Sequence, residues 1–364
     1  MIRKYLLITL SFILISFFAD AKEYFCNPNG DDNLKFFAAD NAFIQYTGRI
    51  DFSNPKLPRF WQPGVYITVK FTGPRCEVIL NDEILWGKNH NYLEIIVDGI
   101  EKRIQTKSAH DTIVVAENLS DGTHTLIVVK NTEANIGFLE LVGIRCKQLV
   151  KPNSKPPRRI EFIGNSITCG TGSDISSVPC GKGVWQDQHN AYLSYGAITA
   201  RTLNTQYHLS SVSGIGLMHS CCNMNVIMPK VFDKISMRND TINWDFKKYQ
   251  PDIVTLCLGQ NDGVQDSTIF CNNYISFLKQ LRSYYPKTTF ILLSSPMADD
   301  RLRNFMRSTL VSIVSSMKKQ GEKKIHHYIF EKQFSGGCDS HPDLNEHRLI
   351  AGELTTCIRK IMKW

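Results

Sequence analysis

From residue 22 to about 150, apolar positions come in short bursts interleaved with polar ones. The run 65–71, Val-Tyr-Ile-Thr-Val-Lys-Phe, is typical: β-branched and aromatic residues with polar partners between them. Comparable runs occupy 76–80, 92–97, 112–116, 125–129 and 136–144. The turn signals Thr72-Gly73-Pro74, Asp98-Gly99 and Asp121-Gly122 punctuate them. Short strands at this spacing predict an all-β sandwich or jelly roll over 22–150. Residues 151–157 hold three prolines and predict an extended linker. From Arg158 the period changes. Strand candidates at 160–163, 207–212, 253–258, 289–294 and 324–329 alternate with helical stretches at 189–203, 269–284 and 300–319 and a final amphipathic segment at 343–362. Strands alternating with helices predict a three-layer α/β domain over 158–364, its mainly parallel sheet covered on both faces.

The N-terminus belongs to neither pattern. Arg3 and Lys4 precede an apolar stretch over 5–18, and Ala19-Asp20-Ala21 follows as a small-x-small site. This predicts a signal peptide over 1–21 and a secreted or periplasmic protein. About 14 apolar residues are short for a bilayer span, so no membrane association is expected after cleavage.

Composition changes the picture little. Of 364 residues, 43% are hydrophobic and 21% charged, as in ordinary globular proteins. The net charge of +8 is scattered, without the basic stripe and interleaved aromatics of a nucleic-acid binder. The 11 cysteines are an odd number, so at least one is unpaired or bound to another chain. Export permits disulfides without fixing their connectivity. Cys221 and Cys222 are adjacent, and neighbours rarely bridge each other. Cys257 reads as a buried hydrophobe, and no cysteine or histidine spacing suits zinc. Trp61, Trp86 and Tyr66 read as core aromatics rather than a sugar platform.

The candidate chemistry lies at predicted strand ends, where sites gather in open α/β sheets. The apolar run 160–163 stops at Gly164, and Ser166 follows in Gly164-Asn165-Ser166. Serine needs a base to take its proton and donors to meet the oxyanion. His341, in Asp339-Ser340-His341-Pro342, is the candidate base, and Pro342-Asp343 reads as a helix start with proline in the first turn. The Ser166 N–H, the Gly214 N–H and the Asn261 amide of Gly259-Gln260-Asn261-Asp262 are candidate oxyanion donors. Each has a plain alternative: a surface or capping histidine, a turn glycine, a helix cap at Asn261-Asp262. Their order and strand-end placement favour the catalytic reading.

That order, Gly-Asn-Ser, Ser-Gly, Gly-Gln-Asn-Asp, Asp-Ser-His-Pro, resembles the SGNH (GDSL-like) hydrolase superfamily. Tyr46-Thr47-Gly48-Arg49-Ile50 and Trp86-Gly87 in the β-rich half make the chain look like the family 2 carbohydrate esterases, which join a jelly roll to an SGNH domain. The resemblance implies a carboxylic ester hydrolase that removes acetyl groups from plant cell-wall polysaccharide, with no metal or cofactor. It implies Ser166 as nucleophile, His341 as base, and Ser166, Gly214 and Asn261 as the oxyanion hole. An acetylated polysaccharide or oligosaccharide is the expected partner, and oligomeric state is left open. The chain departs from the family at three places. Asn165 stands where aspartate is usual. Cys338 occupies the position three before the histidine where many relatives have aspartate, leaving Asp339 to orient His341 by carboxylate or backbone, or a dyad to suffice. Ser340 stands where a tryptophan can line the site, which makes Trp185 the candidate sugar contact. The competing readings are an SGNH esterase of other specificity (lipase, thioesterase or peptidoglycan O-acetyl esterase), a non-catalytic carbohydrate-binding protein, and a Cys169 nucleophile.

Overall fold

A computed structural model describes residues 34–238 and 242–364. The expected signal peptide lies outside the described residues. The first half is antiparallel throughout. Its strands are β1 (Lys35–Ala38), β2 (Gln45–Thr47), β3 (Ile50–Asp51), β4 (Arg59–Phe60), β5 (Tyr66–Asp82), β6 (Tyr92–Val97), β7 (Ile100–Gln105), β8 (His110–Ala116), β9 (Thr123–Lys130) and β10 (Leu139–Val150). The main path runs β3-β4-β10-β5-β9-β6-β7, with β1 on β10 and β2 and β8 on β5.

Two strands expected on either side of Thr72-Gly73-Pro74 are one 17-residue strand, β5. Its first part, 66–72, pairs with β9, and its second, 76–81, pairs with β8. The strand therefore passes from one layer to the other, and Gly73, at φ 97°, sits at the bend. A bent strand that changes layers needs the same residues as a turn. Strand β7 carries Glu101, Lys102 and Arg103 and, among the described residues, pairs only with β6. Its apolar alternation is weak because it is a charged edge. The core between the layers holds Val69, Phe71, Val78, Leu80, Leu126 and Leu141.

The second half is a parallel sheet of β11 (Arg159–Gly164), β12 (Gln206–Ser211), β13 (Ile253–Cys257), β14 (Thr289–Leu293) and β15 (Ile325–Tyr328), in the order β12-β11-β13-β14-β15. Its helices are α1 (Ser166–Cys169), α2 (Tyr195–Thr202), α3 (Met228–Val231), α4 (Ser267–Tyr284), α5 (Asp300–Lys319) and α6 (Leu344–Met362). Side chains alternate between the faces of a strand. Val254, Leu256, Phe290 and Leu292 accordingly pack with Phe277 of α4 and Ile313 of α5. Ile253, Ile291 and Leu293 pack on the other face with Ala197 of α2 and Leu354 of α6. The helix expected from 189 begins only at Tyr195, because the segment before it bonds elsewhere: Asn190 N to Gly170 O and Ala191 N to Asn131 O. Helix α6 starts on a capping box of Asp343 and Glu346, so Pro342 precedes the cap instead of entering the first turn.

The halves share buried contacts. Arg49, between β2 and β3, is fully buried in the second half. Its guanidinium meets Glu161 Oε1 of β11 at 2.8 Å and donates to the carbonyls of Phe232 and Lys234. Trp61 is buried and Tyr66 packs on Tyr207, with centroids 5.0 Å apart. Trp86 is not a core residue. It is 78% exposed, in a tight turn closed by Gly87 N to Ile84 O, with its own φ at 63°. The structure also bonds the neighbours Cys221 and Cys222, against expectation. Left-handed backbone at Cys222 and Asn223 shapes that loop. A second disulfide joins Cys180 to Cys338.

Candidate active site

Ser166 opens α1, directly after β11. The chain reverses so sharply there that a Cβ on Gly164 would lie 2.0 Å from Thr168 Oγ1. Asn165 caps the turn, its side-chain oxygen accepting from Ile167 N at 3.2 Å. An amide oxygen does this as a carboxylate would, so the departure from aspartate keeps the cap. As the first helical residue, Ser166 has an N–H without a partner inside the helix.

His341 Nε2 lies 2.8 Å from Ser166 Oγ, and His341 Nδ1 lies 3.1 Å from the Cys338 carbonyl oxygen. A carbonyl only accepts, so Nδ1 carries the proton and Nε2 presents its lone pair to the serine. The position three before the histidine therefore does orient the imidazole, through main chain instead of a carboxylate. Asp339 is exposed, at φ 51°. Its carboxylate acts on the ring through space, not as the Nδ1 partner. Burial pulls the His341 pKa below the usual histidine value. The Cys338 carbonyl and the Asp339 charge oppose this. The Cys338 carbonyl is held from several sides. Cys338 N donates to Gly172 O at 2.8 Å, and the disulfide ties its side chain to Cys180. A Cβ on Gly172 would come within 2.7 Å of that carbonyl oxygen.

Gly214 follows β12 and the 259–262 block follows β13, the two strands flanking β11. Gly214 has φ 80°, and a Cβ there would lie 2.9 Å from Cys221 Sγ. Asn261 Nδ2 donates to Ile215 O at 2.8 Å, which ties it to the Gly214 segment. Asp262 does not cap α4; Asp266 does. Instead its carboxylate accepts from Leu217 N, Met218 N and His219 N at 2.6–3.0 Å and fixes the loop after Gly214. Sequence reasoning missed this clamp, since an aspartate beside a strand end carries the same signal as a cap.

Trp185 is 43% exposed and stands edge-on to His189, 4.3 Å between centroids. It is thus no core aromatic, and Cys180 in the same loop ties that loop to the His341 segment. Beside the histidine, a cavity of about 440 Å³ is lined by Gln260, Val264, Arg301, Gln333 and Ser340 among others. Cys169 is excluded as a nucleophile. It is fully buried, and burial and the Glu133 charge push its thiol pKa well up.

Residues 46–156 match the family model of the carbohydrate esterase 2 N-terminal domain, and residues 162–333 match the GDSL-like lipase/acylhydrolase family. The chain is 31% identical over 341 residues to the cellulase/esterase CelE of Acetivibrio thermocellus, covering 89% of this chain and 40% of that one. It is 26% identical over 337 residues to an acetylxylan esterase / glucomannan deacetylase of Cellvibrio japonicus, covering 90% and 91%. Among solved structures, a family two carbohydrate esterase from Clostridium thermocellum in complex with cellohexaose superimposes with TM-score 0.82 and 29% identity, over 88% of this chain and 99% of that one. These matches place the chain among carboxylic ester hydrolases. With both halves matched in the family's order, this chain belongs to family 2 of the carbohydrate esterases, built on a GDSL-like (SGNH) hydrolase domain.

Proposed function

We propose that this chain is an exported, serine-dependent O-acetyl esterase of plant cell-wall polysaccharides of the xylan and glucomannan type. The observation that carries the reading is the contact of Ser166 Oγ with His341 Nε2 at 2.8 Å, with Nδ1 held on the Cys338 carbonyl. In this mechanism His341 takes the Ser166 proton as Oγ attacks the acetyl carbonyl. The Cys338 carbonyl steadies the imidazolium, and the Ser166 N–H, the Gly214 N–H and the Asn261 amide receive the oxyanion. His341 then returns the proton to the departing sugar hydroxyl. Water, activated by the same base, releases acetate. The dyad needs no carboxylate, so Asp339 tunes the base without holding it. Exposed Trp185 is the proposed sugar contact.

Residues 22–150, 151–157 and 158–364 are the proposed β-domain, linker and hydrolase domain, after a signal peptide over 1–21. Two disulfides support export, since such bonds persist in oxidising compartments. The names of the relatives support the polysaccharide class. The test is acetate release from acetylated xylan and glucomannan by the parent and by Ser166→Ala. The variant should lose activity by about 10³-fold or more. Near-parental release by Ser166→Ala would sink the mechanism.

A further inference from the structure

The loop between β9 and β10 belongs to the first half, yet it sends one carboxylate into the second. Glu133 is fully buried. Its Oε2 accepts from Ser213 N at 2.5 Å and lies 3.6 Å from Cys169 Sγ. Ser213 immediately precedes Gly214, and Cys169 is the last residue of the helix that Ser166 opens. One oxygen therefore touches both segments that carry the proposed backbone oxyanion donors. The two segments also meet directly: Thr171 Oγ1 lies 2.8 Å from Ser213 Oγ, and Cys169 Sγ 3.2 Å from Ser211 Oγ.

The loop that delivers Glu133 is itself fixed. Lys130 Nζ, fully buried, donates to the main-chain carbonyls of Thr132 and Glu133 at 2.7 and 3.1 Å and leaves the carboxylate free to reach Ser213. Asn131 Oδ1 accepts from Tyr192 N at 3.0 Å, and its amide donates to Glu94. A buried carboxylate that only filled space would be costly, since desolvation penalises it and Oε1 has no partner. The short bond to the Ser213 amide gives it a specific task.

We propose that Glu133 is a positioning residue for ester cleavage: the first half of the chain clamps the Val212–Ser213 peptide, one before the Gly214 N–H, against the Ser166 helix, so that the Ser166 and Gly214 N–H groups converge on one oxyanion. The inference rests on the functional reading given above. It makes the β-rich half a working part of the hydrolase, apart from any contact that half makes with the polysaccharide.

The test compares Glu133→Ala, Glu133→Asp and Glu133→Gln with the parent and with Ser166→Ala, using 4-nitrophenyl acetate and acetylated xylan. Removing one oxyanion donor costs about 10²–10³ in kcat, and misdirecting one should cost about 10–100-fold. Glu133→Asp withdraws the acceptor by one carbon and should show that loss in kcat, with KM within about threefold. Glu133→Gln keeps an acceptor at the same reach and should recover most of the rate. If Glu133→Asp and Glu133→Ala, folded by circular dichroism, turn over like the parent, the proposal is overturned. Should Glu133→Ala fail to fold, the Asp and Gln pair decides alone: equal rates in the two overturn it. Retained activity in Ser166→Ala would instead break the underlying mechanism, which keeps the two failures distinct.

Discussion

Asp339→Asn tests how the base is held. In the structure, His341 Nδ1 donates to the Cys338 carbonyl at 3.1 Å, and the Asp339 carboxylate is exposed. The substitution removes one charge and little else, because asparagine tolerates the left-handed backbone at φ 51°. Exposed charges interact with their neighbours by about 0.2–1 kcal/mol, which corresponds to a rate change of no more than about fivefold. Had the carboxylate been the ring's anchor, the same change would cost about 10⁴ by upsetting the tautomer. The two accounts differ by roughly three orders of magnitude, well beyond assay error. The measurement is kcat/KM on 4-nitrophenyl acetate and on acetylated xylan, with the melting temperature as a folding control. Asp339 raises the His341 pKa, so its removal should also move the acid limb of kcat/KM to lower pH. A loss of 10³-fold or more in a fully folded variant would refute the main-chain account.

Three further outcomes follow from the geometry. Gly214→Ala places a Cβ 2.9 Å from Cys221 Sγ at a residue with φ 80°, so kcat should fall by about 10²–10³ while the fold survives; a parental kcat would remove Gly214 from the oxyanion hole. Arg49→Ala leaves Glu161 buried without its cation, and urea unfolding should show about 3–5 kcal/mol of lost stability; a loss under about 1 kcal/mol would mean the pair does not fasten the halves. His341 must be neutral to act, and burial lowers its pKa, so the acid limb of the parent's kcat/KM should lie below pH 6.5; a limb above that value would contradict the burial argument.

In the second half, β13 and β14 were legible as nearly unbroken apolar runs, as buried parallel strands are, whereas β12, Gln-Tyr-His-Leu-Ser-Ser, was marked only by its place in the strand–helix alternation. All of β12, β13 and β14 is buried, and each boundary fell within two residues of expectation. In the β-rich half, β5 was split because a bend between layers and a hairpin turn use the same residues. The meeting of Ser166 and His341 was legible because both are side chains marked by their motifs at predicted strand ends. The partner of Nδ1 was not, because a main-chain carbonyl is present at every position and only the backbone path selects one. Glu133 was hidden for a different reason. Its contact spans 80 residues and crosses from one half to the other, and nothing local marks its destination. Trp86 shows the reverse error: apolar identity implied burial, and a tight turn holds it in solvent.

The carbonyl that steers His341 bears on which substitutions the site can absorb. A catalytic carboxylate can be lost by one codon change; a peptide oxygen cannot be mutated away. Freed from that duty, the side chain at 338 has taken up another, tying its loop to Cys180. One residue thus serves twice, steering with its main chain and bracing with its sulfur. The vulnerability of the base has moved from the identity of a residue to the path of a loop, and the brace protects the path.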